Sequence, residues 1–600
     1  MRNLPPASVA TFTDTSGATA RTSWPKVAAI YALVVIVILA LRLLSMTDYL
    51  GPDNDDALRL VEVRDLLNGQ DWFDMTQHRL GLEGGTLMHW SRLVDLPIAM
   101  LISFFRLFLD PRAAEAAGVA VWPLLLTIPL LFAVAATCRP AGEKRMHAGL
   151  ALAGLFILGI IRFAPGAIDH HNVQLALVAT MMLAMLDTRM QVSTHALAGL
   201  AAGLAIAIGV ETTPLVAGIC LVVALRWMWH GKPMQKAAQA FGLSLAATVS
   251  IAFYLTVPPR LYGLVTCDNL STGFYTLATF GGGALFLNAC ALSSTSRVAR
   301  FAGLIAAGIA VGAAAMLIAP QCLQNPLDSL DPLLKTLWLD HIEEAQSFSR
   351  LLAVDPVSIA PNYVVPALAI MVCVYRLYRR QEVEMHIVLL GLLLLTFFIA
   401  LFQVRGATFA NFIAIYPAAA LLAHLHDLSR QKQSQTAYGL LFAAASLIFV
   451  PSSWSIASVI AFPATDEHVE DKPEESCSNK AAMNLLASQP TGVVAAPSNL
   501  GAAILRFTTH RVLSGPYHRD QQGMLAELNI GLSTPVDAQK RLKDAGVELI
   551  AFCRFDPQVR LVAEKSPGGF YAALASGKVP DYLTPIANPA PSGLVLYKVR

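Results

Sequence analysis

The apolar residues of this chain fall into long runs, and about 20 such residues in a row is the length that crosses a bilayer as a helix. Runs of this kind cover 27–46, 114–136, 146–163, 173–186, 194–209, 214–229, 237–257, 272–292, 301–319, 363–377, 386–401, 409–423 and 438–461. A helix satisfies its own backbone polar groups, so the runs predict a mainly α, polytopic membrane protein with about thirteen spans. Composition agrees. Only 14 % of the 600 residues are charged, against about 25 % in a soluble domain. That excludes a soluble enzyme and a disordered scaffold. A net charge of +2 gives no field for nucleic acid, and eight cysteines are too few for a disulfide framework.

Basic residues set the orientation. The first run follows Arg2, Arg21 and Lys26 and lacks a small-residue cleavage site. It therefore predicts an uncleaved anchor behind a cytoplasmic tail, 1–26. Arg139/Lys144/Arg145, Arg189, Arg226/Lys232/Lys236, Arg297/Arg300, Arg376/Arg379/Arg380 and Arg430/Lys432 then share the cytoplasmic side. The apolar stretch 97–109 would invert this pattern if it crossed. It is short and carries Arg106, so it predicts an interfacial helix. The membrane domain is 27–462. It leaves a first outer loop at 47–95, a late outer loop at 320–362 and a polar C-terminal domain, 463–600. That domain alternates strands at 491–496, 548–553 and 593–599 with helices at 500–507 and 535–545. The second helix is capped by Ser533 or Thr534. The pattern predicts a small α/β unit.

The outer pieces hold the charges. Asp53, Asp55 and Asp56 lie directly after the first span. Three carboxylates so close repel unless a cation sits among them, and hard oxygen ligands suit Mg²⁺ or Mn²⁺. The alternative is that they cap a helix starting near Ala57. In Pro165–Asn172, Asp169, His170 and His171 either hold a cation or decorate a solvated turn. The late loop carries Glu343, Glu344 and Gln346, which are either functional or merely solvated. Arg405, between two spans, is a phosphate ligand or a snorkelling arginine. Glu211 reads as a capping or packing residue.

All these groups fall on one side of the predicted topology, so distant loops can converge on one metal and one phosphate. That is the layout of a transferase using a lipid-linked phosphate donor, with the metal neutralising the leaving group and a carboxylate positioning or deprotonating the acceptor. Two other readings fit: a metal-independent transferase using a polyprenyl-monophosphate sugar, and a transporter or flippase of lipid-linked glycans.

Nearly the whole chain resembles the catalytic-subunit family of oligosaccharyltransferases, within the GT-C class of membrane glycosyltransferases. Asp55 precedes Arg64-Asp65 as that family's first acidic motif does. Gly166 to Asp169 matches its Gly-x-x-Asp motif, with His171 at a second ligand position. Glu344-Ala345-Gln346 matches its late-loop core, and Arg405 its donor-phosphate arginine. The resemblance implies 13 spans and a C-terminal outer domain. It implies Asp55, Asp169 and His171 as metal ligands, with Asp55 and Glu344 catalytic and Arg405 on the donor phosphate. Asp53, Asp56, His170, Glu343 and Gln346 complete the candidate set. The implied partners are a lipid-linked sugar and an acceptor at the outer face of a bacterial inner membrane.

One motif departs. Peptide-accepting members carry Trp-Trp-Asp-Tyr-Gly, and here the corresponding stretch reads Ala496-Pro497-Ser498-Asn499-Leu500-Gly501. No indole pair or carboxylate is there to read a Ser/Thr hydroxyl. The expected acceptor is therefore a lipid, an envelope glycan or another protein side chain. Cys477 with Cys553, and Cys267 with Cys322, lie outside the spans and can pair in an oxidising compartment.

Overall fold

The computed structural model describes residues 23–51, 53–324, 326–432, 435–462, 477–478, 480–587 and 593–600. The leader with Arg2 and Arg21, and the opening of the C-terminal domain (463–476), lie outside the described residues.

Every apolar run predicted to span holds helix, but the count of thirteen is not reproduced. Among the described residues, nine helices are long and apolar enough to cross a membrane, or ten with one bent pair. The shortfall has two physical sources. Three helices are short: Glu143–Gly159, His171–Met185 and Val192–Ile208 have 17, 15 and 17 residues. The run 438–461 is two helices, Thr436–Ile448 and Pro451–Ala461, bent by 82°. Pro451 cannot continue the first helix, because its ring blocks the backbone N–H bond. At the centre, Gly406–Gln431 has 78 % of its apolar window buried, whereas Arg297–Ile318 has none and lies at the periphery. Near the periphery, Gly242 and Gly282 sit where each lacks room for a side chain against the other's carbonyl. Small residues at such contacts let membrane helices approach closely.

The two ends of the bundle differ. At one end, ion pairs join Arg145 to Glu382 (2.6 Å), Arg226 to Glu384 (2.8 Å) and Lys144 to Asp427. These are the connections that the basic residues mark. The opposite end carries the acidic loops. There the helix Arg92–Phe105 exposes Leu96, Met100 and Phe104 and buries Ile98, Ala99 and Ile102, so one side is an apolar surface.

The C-terminal domain is a mixed sheet of Val493–Ala495 (β1), Arg511–Val512 (β2), Val547–Cys553 (β3), Leu583–Ile586 (β4) and Leu594–Val599 (β5), in the order β2-β1-β3-β5-β4. β1 runs parallel to β2 and β3, while β5 is antiparallel to β3 and β4. Thr534, not Ser533, caps the helix Pro535–Asp544, its Oγ1 accepting from the Asp537 amide at 3.3 Å. Both cysteine pairs are bonded, Cys267–Cys322 and Cys477–Cys553. The domain is bolted to the first loop. Arg506 grips Asp48 at 2.6 and 2.7 Å, and Arg64 donates to the Arg506 carbonyl at 2.6 Å. The late loop is not irregular: its helix Pro332–Leu337 places Leu334, Leu337 and Trp338 in this domain's core.

Candidate active site

Two loops build the floor. Gly51 donates its amide to the Gly166 carbonyl at 3.1 Å. Gly166 has φ +85°, and a Cβ there would lie 2.5 Å from the Tyr49 carbonyl, so glycine is required. Asp56 is buried beside this contact. Its Oδ1 accepts the amides of Ile168 and Asp169 at 2.7 and 2.8 Å. This carboxylate shapes the loop that presents Asp169. Asp53 caps the helix Asn54–Leu67, accepting from the Asp55 amide at 3.1 Å. The capping alternative thus holds for Asp53. Asp55 has no hydrogen-bonded side-chain partner among the described residues and feels the charges of Asp169, Asp53 and Glu344.

Asp169 is the centre. Its Oδ1 accepts from Arg59 Nη2 at 3.2 Å and faces His170 Nδ1 at 2.7 Å. Its Oδ2 lies 3.3 Å from His171 Nε2 and is buried without a hydrogen-bond partner among the described residues. His171 Nδ1 faces Gln174 Oε1 at 3.0 Å, which leaves Nε2 pointing to Asp169. His170 Nε2, also buried without a hydrogen bond to any described residue, lies 3.4 Å from Glu211 Oε1. From above, the late loop brings Glu344. One of its oxygens pairs with Arg162 and the other lies 3.9 Å from His171 Nε2. The Glu344 and Gln346 carbonyls accept the amides of Arg405 (3.3 Å) and Val404 (2.9 Å), so the late loop is clipped to the turn carrying Arg405. Arg405 itself is steered by Gln403 Oε1 at 3.1 Å. Glu343 opens the turn that Gln346 closes.

The electrostatics follow from crowding. Burial, with the charges of Asp169 and Asp53, holds the Asp55 carboxyl well above its ordinary range. The same causes push Asp56 up to about 8. Burial opposes ionisation of Asp169 too, but His170, His171 and Arg59 outweigh it and hold Asp169 low. For His170, burial is outweighed by Asp169 and Glu211, and the ring is pushed up to about 10. Repelling carboxylates beside two imidazoles form an environment that a cation relaxes.

A divalent ion fits this group. Asp169, His170 and His171 each offer a ligand atom, all within 4.8 Å of one another. Donors bound at about 2.0–2.2 Å to one ion lie roughly 3 Å apart, close to the spacing of Asp169 Oδ2 and His171 Nε2. Asp55 is not a member of that trio, although it faces it.

Sequence reasoning passed over three contributors. Arg59 is 1 % exposed, bridges Asp169 to Asp95 (2.9 Å) and lies 4.4 Å from the Trp90 ring centroid. The available signal was its place four residues after Asp55 on one helix, which puts both on one face. Arg162 ends an apolar run directly before the Asp169 loop. Tyr517 reaches from the C-terminal domain to the Asn54 carbonyl at 2.9 Å. Glu211, read as packing, instead faces His170 and accepts from Gln174 at 2.9 Å. In the stretch 496–501, Ser498 is buried against Gln558 (2.8 Å), and Gly501 lies too close to the Ser514 carbonyl for a side chain.

The chain thus combines a long-helix bundle, a folded first loop and a docked mixed-sheet domain. The archaeal oligosaccharyltransferase AglB from Archaeoglobus fulgidus, solved with an inhibitory peptide and a dolichol-phosphate, aligns over 94 % of this chain and 73 % of its own, with TM-score 0.61 and 14 % identity. The A. fulgidus oligosaccharyltransferase tethered to an acceptor peptide with the NVT sequon aligns over 97 % and 74 %, with TM-score 0.60 and 15 % identity. Its complex with Zn and sulfate aligns over 95 % and 73 %, with TM-score 0.57 and 14 % identity. The chain shares this fold. No protein-family model and no curated protein sequence matches it.

Proposed function

We propose that this protein is a glycosyltransferase of the GT-C class. It moves a sugar or oligosaccharide from a polyprenyl-(pyro)phosphate donor to an acceptor at the non-cytoplasmic face of the membrane, assisted by a divalent metal. The observation carrying this reading is the convergence of Asp55, Asp169, His170, His171 and Glu344 with Arg162 and Arg405 at one end of the bundle. Carboxylates and imidazoles hold the ion, and guanidiniums hold a phosphate.

In the reaction, the bond between the anomeric carbon and the donor phosphate oxygen breaks as the acceptor's nucleophilic atom bonds to that carbon. Asp169 and His171 would hold the ion, with His170 or Asp55 beside them, and the ion would neutralise charge on the departing phosphate. Two imidazoles favour Zn²⁺ or Mn²⁺ over Mg²⁺ in this set. Arg405 supplies a fixed positive charge to the phosphate. Asp55, whose carboxylate has no hydrogen-bonded partner among the described residues, orients the acceptor and takes its proton. Glu344 orders the late loop over the site. The helix Arg92–Phe105 lies in the interface on its apolar side. Disulfides on the acidic side fit an oxidising compartment, here the periplasmic face of a bacterial inner membrane. The stretch 496–501, with no indole or carboxylate, favours a non-sequon acceptor.

One observation favours a metal-independent variant with a polyprenyl-monophosphate sugar: Arg59 and Arg162 already pair with Asp169 and Glu344. Comparing envelope glycolipids and glycoproteins from cells with and without the protein tests the function. Loss of one glycoconjugate, with accumulation of its lipid-linked donor, is expected. Unchanged glycoconjugates with altered transbilayer distribution of donor would instead indicate a flippase.

A further inference from the structure

A second cluster of metal-ligating side chains lies apart from Asp169. His89 follows the two-residue strand Thr86–Leu87 in the first loop. Asp268 sits in the connection after the helix Gln235–Thr256, next to Cys267, which is bonded to Cys322. His518 opens the turn His518–Asp520 of the C-terminal domain. Their ligand atoms lie within 4.8 Å of one another. His518 Nε2 is 2.7 Å from Asp268 Oδ2, and the His89 and His518 ring centroids are 4.6 Å apart. His89 Nδ1 is buried with no hydrogen-bond partner among the described residues, a state that normally costs free energy.

We propose that His89, Asp268 and His518 form a second divalent-cation site, matched to Zn²⁺, that pins the first loop, the 257–271 connection and the C-terminal domain together. Two imidazoles and one carboxylate are a three-ligand zinc set with an open fourth position. Arg519 donates to both oxygens of Asp268, at 2.5 and 2.6 Å, and fixes the carboxylate's orientation as outer partners of metal ligands do. Each ligand comes from a different segment, and no two are closer than 179 positions in sequence (89 to 268 spans 179 and 268 to 518 spans 250). Binding would therefore add a cross-link between three segments that are distant in sequence. His518 and Asp268 keep 27 % and 18 % of their side chains exposed, which gives the ion a way in. His89 and Arg519 also line a cavity of about 60 Å³, so the open coordination position has a space to face.

The test uses the full chain in detergent or nanodiscs and Zn²⁺ alone. Bound zinc per chain is measured after equilibrium dialysis for wild type, His518→Ala and His89→Gln, with thermal unfolding followed with and without Zn²⁺. Each variant is expected to lose one zinc equivalent relative to wild type and to lose the zinc-dependent rise in Tm, while its Tm without zinc matches wild type. Equal zinc content in wild type and either variant overturns the site. Should one variant unfold, the other carries the test. Co²⁺ substitution supplies a further reading, a ligand-field band weaker in His518→Ala than in wild type. The difference between variants is independent of any ion at Asp169, so this result stands apart from the transferase reading.

Discussion

Asp169 Oδ2 lies 3.3 Å from His171 Nε2, and the carboxylate oxygen is buried with no hydrogen bond to any described residue. A shared ion is the simplest satisfaction of both atoms. His171→Ala keeps the Asp169–Arg59 pair intact, so it is expected to spare folding while weakening divalent-cation affinity by at least the roughly 10–100-fold that loss of an outer partner costs. Isothermal titration with Mn²⁺ or Zn²⁺, beside an unfolding curve, checks this. An unchanged affinity would remove His171 from the ligand set.

Arg59 stands between Asp95 and Asp169 with both carboxylates buried. Replacing it by Met removes a shared cation from two buried carboxylates, leaving Asp95 with Arg92 and Asp169 with its imidazoles. Breaking such a network from one side costs about 3–5 kcal/mol. Arg59→Met is expected to lower Tm sharply and to abolish transfer, while Arg59→Lys, which keeps charge but not the fork, retains part of the stability. Denaturation of the purified variants measures it.

Arg405 is held by Gln403 and by the clip to Glu344. A charge-assisted hydrogen bond to phosphate is worth about 1.5–3 kcal/mol. Arg405→Ala is therefore expected to raise the KM for a lipid-linked donor by roughly tenfold or more, with a smaller change in acceptor KM. Steady-state kinetics with the two substrates varied separately decides it. A purely structural arginine would instead lower Tm and leave the ratio of the two KM values unchanged.

Burial pushes the Glu527 carboxyl up to about 8, despite the Tyr571 hydroxyl donating to it. Its folded pKa lies above the unfolded value of 4.5, so between these values the folded state binds more protons. Stability is then fully present below about pH 4.5 and declines as pH rises through about 8. Glu527→Gln is expected to flatten this part of the pH–stability curve. Thermal unfolding from pH 5 to 9 measures the slope in both proteins, and a parallel slope would contradict the assignment.

Much of this was legible in one sequence because charge is costly in a membrane: Asp55, Asp169, His171, Glu344 and Arg405 stood out against apolar runs, and the structure gathers them at one end. Cys477–Cys553 and Cys267–Cys322 could be paired because the topology left them on the same side. Arg59 was obscured because it looked like one of four arginines offsetting a loop of carboxylates, and only tertiary packing shows that it is buried. The break at Pro451 was lost in a continuous apolar stretch. Hydropathy alone does not distinguish a straight span from a bent pair. Asp53 and Asp56 show the limit of composition: three neighbouring carboxylates take three roles, a cap, a loop anchor and a group facing the site.

The most direct measurement is sugar transfer by the purified full chain in proteoliposomes, with a polyprenyl-linked donor, for wild type, Asp55→Asn and His171→Ala, with and without EDTA. The account predicts a glycosylated acceptor from wild type, loss of most product with EDTA and its return on adding Mn²⁺ or Zn²⁺, and little product from either variant in any condition. Undiminished transfer by Asp55→Asn and His171→Ala, or by wild type in EDTA, would contradict the metal-assisted site at Asp169.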